Sequence, residues 1–146
     1  MWRLLIIASL CAAGTLVFGC GPSKNDYITH NEALIETLSA FPSSSVVRTA
    51  SSDYREDEHG PVVGYTTNVV YEVPSGTTAD DVIEFYKRQL SSWMVSSEDI
   101  PVAGDDVVRI AHFRHGENGV SVNTDNLLPS GANTYELSVD YRRYRE

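Results

Sequence analysis

Two stretches of the chain have apolar residues three and four positions apart, the spacing of an amphipathic helix. The first runs over residues 28–41 and ends before Pro42. The second runs over residues 79–91 and is preceded by Thr78, which with Asp81 has the spacing of a capping box. The predicted apolar stripes are Ala33, Leu34, Ile35, Leu38 and Phe41 in the first helix, and Val82, Ile83, Tyr86 and Leu90 in the second.

Apolar and polar residues alternate over much of the remaining chain, which predicts strands over residues 46–56, 62–73, 93–100, 107–114, 120–124 and 134–142. Inward-facing positions are Val63, Tyr65, Thr67, Val69, Tyr71 and Val73 in one strand and Tyr135, Leu137, Val139 and Tyr141 in the last, with Glu136, Ser138, Asp140 and Arg142 outward. This order of elements predicts an α+β fold, an antiparallel sheet of five to six strands with two helices packed on one face.

Residues 1–20 have a third pattern. Arg3 gives a short positive start, and residues 4–18 then carry no charge, which is typical of a secretory signal and short of the roughly 20 residues that span a bilayer. The run ends in Val17-Phe18-Gly19-Cys20, which resembles the lipobox of bacterial lipoproteins. The resemblance implies cleavage before Cys20, acylation of its sulfur with chains such as palmitate, and an extracytoplasmic protein held on the cell membrane or outer membrane. The alternative is an uncleaved N-terminal anchor.

These assignments divide the chain into a signal peptide over residues 1–19, a lipidated cysteine and tether over 20–27, and a single domain over 28–146. The tether residues 21–27 would reach at most roughly 25 Å. Residues 81–90 with Trp93 also resemble a helix-to-strand pattern of small exported bacterial lipoproteins of unknown function. That second resemblance implies no activity.

Charge and cysteine content narrow the functional classes. The net charge is −9, and removal of Arg3 with the signal peptide leaves −10, so we expect no nucleic-acid partner. Cys11 and Cys20 are the two cysteines, so the domain has no disulfide and no cysteine-based zinc site. We expect no cofactor and no metal.

Three groups of residues are candidate sites of chemistry. His112 and His115, three apart in a strand, face opposite sides of the sheet and cannot easily share a metal. His115 with Glu117 is an alternative pair of ligands. The acidic stretch 53–59 is a calcium candidate or a solvated hairpin tip, and with Glu98, Asp99, Asp105 and Asp106 it would form a negative rim if both loops lay at one end of the sheet.

Tyrosines and arginines give the C-terminus a basic, aromatic character typical of recognition surfaces. The alternative interpretation is that the tyrosines cap the core while the arginines protect an edge strand from pairing. The predicted ligand or partner surface comprises Tyr65, Tyr71, Tyr86, Trp93, Tyr141, Arg142 and Arg143.

Three functions follow from these candidates. The first is a membrane-anchored, non-catalytic module that binds another protein of the cell envelope. The second is a carrier that shelters a lipid or other apolar ligand between the second helix and the sheet, in a cavity lined by Tyr65, Tyr71, Tyr86 and Trp93. The third is a small hydrolase or metal-dependent enzyme built around His112, His115 and Glu117.

Overall fold

The computed structural model describes residues 23–55, 59, 62–101, 107–127 and 131–142. Within them the chain forms two α-helices, one 3₁₀ helix and six strands. Their order is α1 (Lys24–Thr37), β1 (Ser45–Arg55), β2 (Val62–Glu72), α2 (Ala79–Gln89), β3 (Met94–Pro101), β4 (Val107–His115), β5 (Asn118–Asn123), the 3₁₀ helix (Asp125–Leu127) and β6 (Thr134–Arg142).

The six strands form one antiparallel sheet in the order β1-β2-β6-β5-β4-β3. This confirms the predicted α+β fold. Because β6 lies between β2 and β5, it is an internal strand. The interpretation of Arg142 as protection for an edge strand was therefore wrong, since the edges are β1 and β3.

One face of the sheet carries the core, and we call it the covered face because both helices pack there. Alternate residues of β2 and β6 are buried on this face, as the alternation predicted. The opposite side is the open face. The buried apolar cluster comprises Val69, Tyr71, Val73, Val82, Ile83, Tyr86, Leu90, Ala111, Phe113, Val120, Val122, Tyr135, Leu137 and Val139.

Helix α1 begins and ends four residues before the predicted bounds. Ser23 is its N-cap, and a capping box with Asp26 supplies partners for the free backbone N–H groups of the first turn. The fully buried residue of α1 is a polar one, Asn31, whose amide nitrogen donates to the Tyr65 carbonyl at 2.9 Å. Ala33, predicted for the apolar stripe, is exposed.

Helix α2 follows its sequence pattern closely. Thr78 and Asp81 form the predicted capping box, and Val82, Ile83 and Tyr86 are buried. On the solvent-exposed side of α2, Lys87 Nζ lies 2.8 Å from Glu84 Oε1.

We call the end of the sheet on which the start of α1 packs the proximal end, and the opposite end the distal end. The proximal end contains Tyr65, Tyr141, Asn118 and His115, and the distal end contains Glu72 and Arg109. Asp53 lies in the proximal end, paired with Tyr65, whereas Asp99 is paired with Arg109 in the distal end. The predicted single negative rim was therefore wrong for these two carboxylates. Residues 105 and 106 lie outside the described residues.

Candidate functional site

The seven residues predicted as a ligand or partner surface fall into three places. Tyr65 and Tyr141 are direct cross-strand neighbours and are half-buried, and Trp93 lies at the same end of the sheet. Tyr71 and Tyr86 are core residues, 6% and 0% exposed, so neither presents a surface to a partner. Arg142 is the last residue of β6, its side chain lies outside the described part, and so does all of Arg143.

A row of side chains crosses the covered face at the proximal end. Strand register places Asp53, Tyr65, Tyr141, Asn118 and His115 next to one another on five consecutive strands. We call these five residues the proximal row. The row contains residues as far apart in sequence as 53 and 141. Alternation along one strand predicts the face on which a residue lies but not its neighbours on other strands.

Helix α1 packs on the proximal row through its first two turns. The Tyr27 ring lies 5.8 Å from both the Tyr65 and the Tyr141 rings, at tilted angles. The His30 ring lies 4.1 Å from that of Tyr141, and its Nε2 donates to Asn118 Oδ1 at 2.7 Å. These aromatic contacts fix the start of α1 on the sheet.

Three further contacts complete the proximal row. The Tyr141 hydroxyl donates to Glu117 Oε2 at 2.6 Å, a short distance typical of a bond to a charged acceptor. The Trp93 ring lies 5.5 Å from that of His115, the last residue of β4. Lys24 Nζ lies 5.6 Å from the centre of the Tyr65 ring.

The predicted cavity between α2 and the sheet is occupied by tyrosines. Tyr71 and Tyr135 stack with ring centres 5.1 Å apart, and Tyr86 meets Tyr135 edge-on at 5.9 Å. The Tyr86 and Tyr135 hydroxyls lie 2.9 Å apart, and the Phe41 N–H donates to Tyr135. Burial raises the pKa of all three tyrosines, so this part of the core is neutral at physiological pH.

The histidines do not converge. His112 faces the open side, where its Nδ1 lies 2.8 Å from Ser121 Oγ, and His115 stacks on Trp93 at the covered side. Glu117 is bonded to Tyr141 rather than to a histidine. Among the described residues no group of three or more histidine, cysteine or acidic side chains is close enough to hold a metal ion.

The open face has a charged pair that the sequence did not indicate. Asp140 was predicted to point outward, and it does, but it is 7% exposed. Its carboxylate lies 3.6 Å from Arg114 across Gly119 of the intervening strand. A Cβ at position 119 would collide with the Asp140 carboxylate, so glycine leaves the space in which these two side chains meet.

A groove of about 400 Å³ opens on the open face at the distal end. Its charged groups are Arg48, Asp125 and Glu136, and its apolar ones are Val47, which is 58% exposed, and Val70. Val47 is the extra residue of a bulge in edge strand β1. Asn123, Asn126 and Thr134 complete the lining.

A second, more apolar groove of about 250 Å³ lies between α1 and β1. Ile35 and Val46 form its sides, and Val69 and Tyr71 of the core form its floor. Its volume is below the roughly 300–1,000 Å³ of sites that enclose a small ligand.

Charged residues at the distal end of the covered face form a chain of ion pairs. Arg109 on β4 is bonded to Asp80 at the start of α2 and lies 3.3 Å from Asp99 of β3. The two carboxylates raise the pKa of the Arg109 guanidinium, with Asp80 the larger cause. This contact ties α2 to the edge of the sheet.

Neither α-helix in the described ranges is long and apolar enough to cross a bilayer. No protein-family model, curated protein or solved structure matches the chain.

Proposed function

We propose that the protein is an extracytoplasmic lipoprotein, held in a membrane by acyl chains on Cys20, whose α+β domain binds another protein of the cell envelope without catalysing a reaction. The observation that carries the proposal is the uncharged run of residues 4–18 ending in Val17-Phe18-Gly19-Cys20. Each acyl CH₂ in lipid contributes about 0.8 kcal/mol, so two or three chains hold a protein stably where one exchanges.

The start of α1 supports a membrane-bound domain. With Ser23 as the N-cap, only Gly21 and Pro22 separate the cap from Cys20. Three Cα–Cα steps from Cys20 to Ser23 span at most roughly 11 Å. The tether is therefore shorter than the seven residues that the apolar pattern indicated, and the domain is held close to the lipid.

Binding fits the described geometry better than catalysis does. Glu117 accepts a hydrogen bond from Tyr141, His112 is paired with Ser121, and Asp80 is paired with Arg109. Ser121 and His112 are a nucleophile and a base in contact, as covalent catalysis requires, but neither residue lines either groove. The distal groove has the size of a binding site and combines charged with exposed apolar groups.

The carrier hypothesis has less support. Tyr86 and Tyr135 fill the space between α2 and the sheet in which the ligand was expected. The apolar groove beside α1 is smaller than a typical ligand site. We therefore assign recognition to the distal groove.

Mass spectrometry of the protein recovered from its own membranes tests the anchor. We expect a polypeptide that begins at Cys20 and carries acyl chains, and a Cys20→Ser variant that retains its leader and is not acylated. Intact Met1 with an unmodified thiol at position 20 would contradict the proposal.

Chemical cross-linking in membranes tests the distal groove. Arg48→Glu reverses a charge in the groove, and Arg88→Glu makes the same change on the exposed side of α2. We expect a cross-linked partner that is retained with Arg88→Glu and lost with Arg48→Glu. Equal capture by both variants would exclude the groove as the recognition surface.

A further inference from the structure

We infer that the proximal end of the domain rests on the phospholipid headgroup layer, with the strands standing away from the bilayer. The inference depends on the proposed anchor at Cys20 and adds the surface that meets the membrane. It commits to lipid headgroups, rather than to a partner protein, as what covers this end. Three observations support it.

The first observation is the length and exit point of the chain before α1. Ser23 caps the helix that starts at the proximal end, and two residues separate it from Cys20. A reach of roughly 11 Å is comparable to the diameter of a helix with its side chains. The distal end lies the length of β2 away, and 11 residues at about 3.3 Å each extend roughly 35 Å. The tether therefore allows only the proximal end and its sides to touch lipid.

The second observation is the distribution of aromatic residues with polar tips. Three described tyrosines, Tyr71, Tyr86 and Tyr135, are core residues. Every other described tyrosine and Trp93 are half-buried and lie at the proximal end. These half-buried residues are Tyr27, Tyr54, Tyr65, Trp93 and Tyr141.

This distribution is not a general excess of apolar surface at one end. Exposed aliphatic residues occur at both ends, for example Val62 at the proximal end and Ile100 at the distal end. Tyr and Trp are the side chains that favour the boundary between water and hydrocarbon, because each has an apolar ring and a polar group. Their concentration where the anchor emerges indicates a lipid boundary.

The third observation is the position of exposed and cationic side chains around these rings. Met94, the first residue of β3, is 75% exposed, and its unbranched side chain can enter a headgroup layer. Lys24 lies against the Tyr65 ring, where its ammonium can meet a lipid phosphate. Because the mature chain carries −10, we expect zwitterionic lipids to be accepted and strongly anionic ones to weaken the contact.

Tryptophan fluorescence in brominated vesicles tests the inference, since bromine on acyl chains near the headgroup quenches at contact. The full chain with Trp2→Phe is produced in a lipoprotein-processing host, purified from membranes and reconstituted in phosphatidylcholine vesicles. Trp93 is then its one tryptophan. We expect its emission to fall when brominated phosphatidylcholine replaces the ordinary lipid.

A matched pair of variants controls for position. In a Trp93→Phe background, Met94→Trp and Ile100→Trp place the probe on one strand, at exposed sites of the same face. The sites are six residues apart, about 20 Å along β3. We expect quenching of Met94→Trp to be at least about twice that of Ile100→Trp, because only the former reaches lipid.

The outcomes separate the two proposals. Acylated Cys20 without quenching of Trp93 or Met94→Trp overturns the inference and leaves the anchor intact, and it would point to a protein at the proximal end. Equal quenching at positions 94 and 100 also overturns it, because the domain would then lie flat. An unacylated Cys20 overturns the proposed lipid anchor. Quenching of Trp93 then shows whether the proximal end still contacts the membrane, held there by an uncleaved N-terminal segment.

Discussion

We predict that two substitutions in the buried pair Tyr86 and Tyr135 compensate each other: the second restores part of the stability that the first removes. Tyr86 and Tyr135 are both 0% exposed, and their hydroxyls lie 2.9 Å apart. The Tyr135 hydroxyl also accepts the Phe41 N–H at 3.3 Å. The two hydroxyls are therefore not equivalent, because that of Tyr135 interacts with Phe41 and Ser44 as well as with Tyr86.

Removing either hydroxyl alone has different effects. Tyr86→Phe deletes one hydrogen bond and leaves the Tyr135 hydroxyl with Phe41, so we expect a loss of about 1 kcal/mol in the free energy of unfolding. Tyr135→Phe strands the Tyr86 hydroxyl and the Phe41 N–H. Each stranded group costs about 1–3 kcal/mol when it is fully buried, and Phe41 is only half-buried, so we expect a total loss of about 2–4 kcal/mol.

The double variant gives the sharpest test. Tyr86→Phe together with Tyr135→Phe removes the stranded hydroxyl and leaves only the Phe41 N–H without its partner. We expect the double variant to be about 1–2 kcal/mol more stable than Tyr135→Phe alone. A second substitution in a buried core that increases stability is unusual, since most such changes destabilise.

Urea unfolding at pH 7, followed by far-ultraviolet circular dichroism, measures these differences. With a slope of about 1–3 kcal/mol per molar urea, 1 kcal/mol moves the midpoint by about 0.3–1 M. Slopes should agree among the four proteins of the cycle. A double variant less stable than Tyr135→Phe, or single variants of equal stability, would refute the assigned hydrogen-bond roles.

Three further substitutions test other parts of the structure, each by urea unfolding against the unsubstituted protein. Gly119→Ala should lower the free energy of unfolding by about 1–3 kcal/mol, because its methyl group displaces the Asp140 carboxylate; an unchanged midpoint would contradict this close approach. Asn31→Asp keeps the shape of a fully buried side chain but adds a charge, so we expect a loss of about 3 kcal/mol or more at pH 7 that shrinks in acid. Hydrogen bonds from the side chain and backbone of Thr78 lower the pKa of Asp81 below 3.8, so its contribution is present above that pH and is lost as the pH falls through the lowered value. Asp81→Asn should therefore be less stable than the parent at pH 7 and equal to it in strong acid, and a gap that persists in acid would contradict the capping role.

Helices and strands could be predicted from short stretches of sequence, because residues close together in the chain determine where such an element begins, where it ends and which face is buried. Alternation in residues 134–142 gave β6 its bounds and its buried face, and Thr78 with Asp81 marked the start of α2. The start of α1 carried a similar signal, Ser23 three residues before Asp26. It was missed because the first turn is polar and the fully buried residue of the helix is Asn31 rather than an apolar one.

Strand order and register could not be predicted in the same way. The central position of β6 depends on pairing with β2, about 70 residues earlier in the chain, and such non-local pairings are set by packing of the whole sheet. The proximal row follows from that register, since Tyr65 and Tyr141 become neighbours only when β2 and β6 pair. The Arg114–Asp140 contact similarly requires Gly119 to lie between two strands.

The two ends of the sheet differ in chemistry in a way that connects the anchor with recognition. Half-buried aromatic residues such as Tyr27 lie where α1 begins, and the distal groove with Arg48 and Glu136 lies at the other end. The tether spans roughly 11 Å and the domain is about 35 Å long. The distal end therefore cannot turn toward the bilayer while the tyrosines stay in contact with lipid. If the proximal end meets the bilayer, the distal groove is presented to the aqueous compartment at a fixed height. The orientation measured with Trp93 and the charge reversal at Arg48 therefore test the two halves of one arrangement.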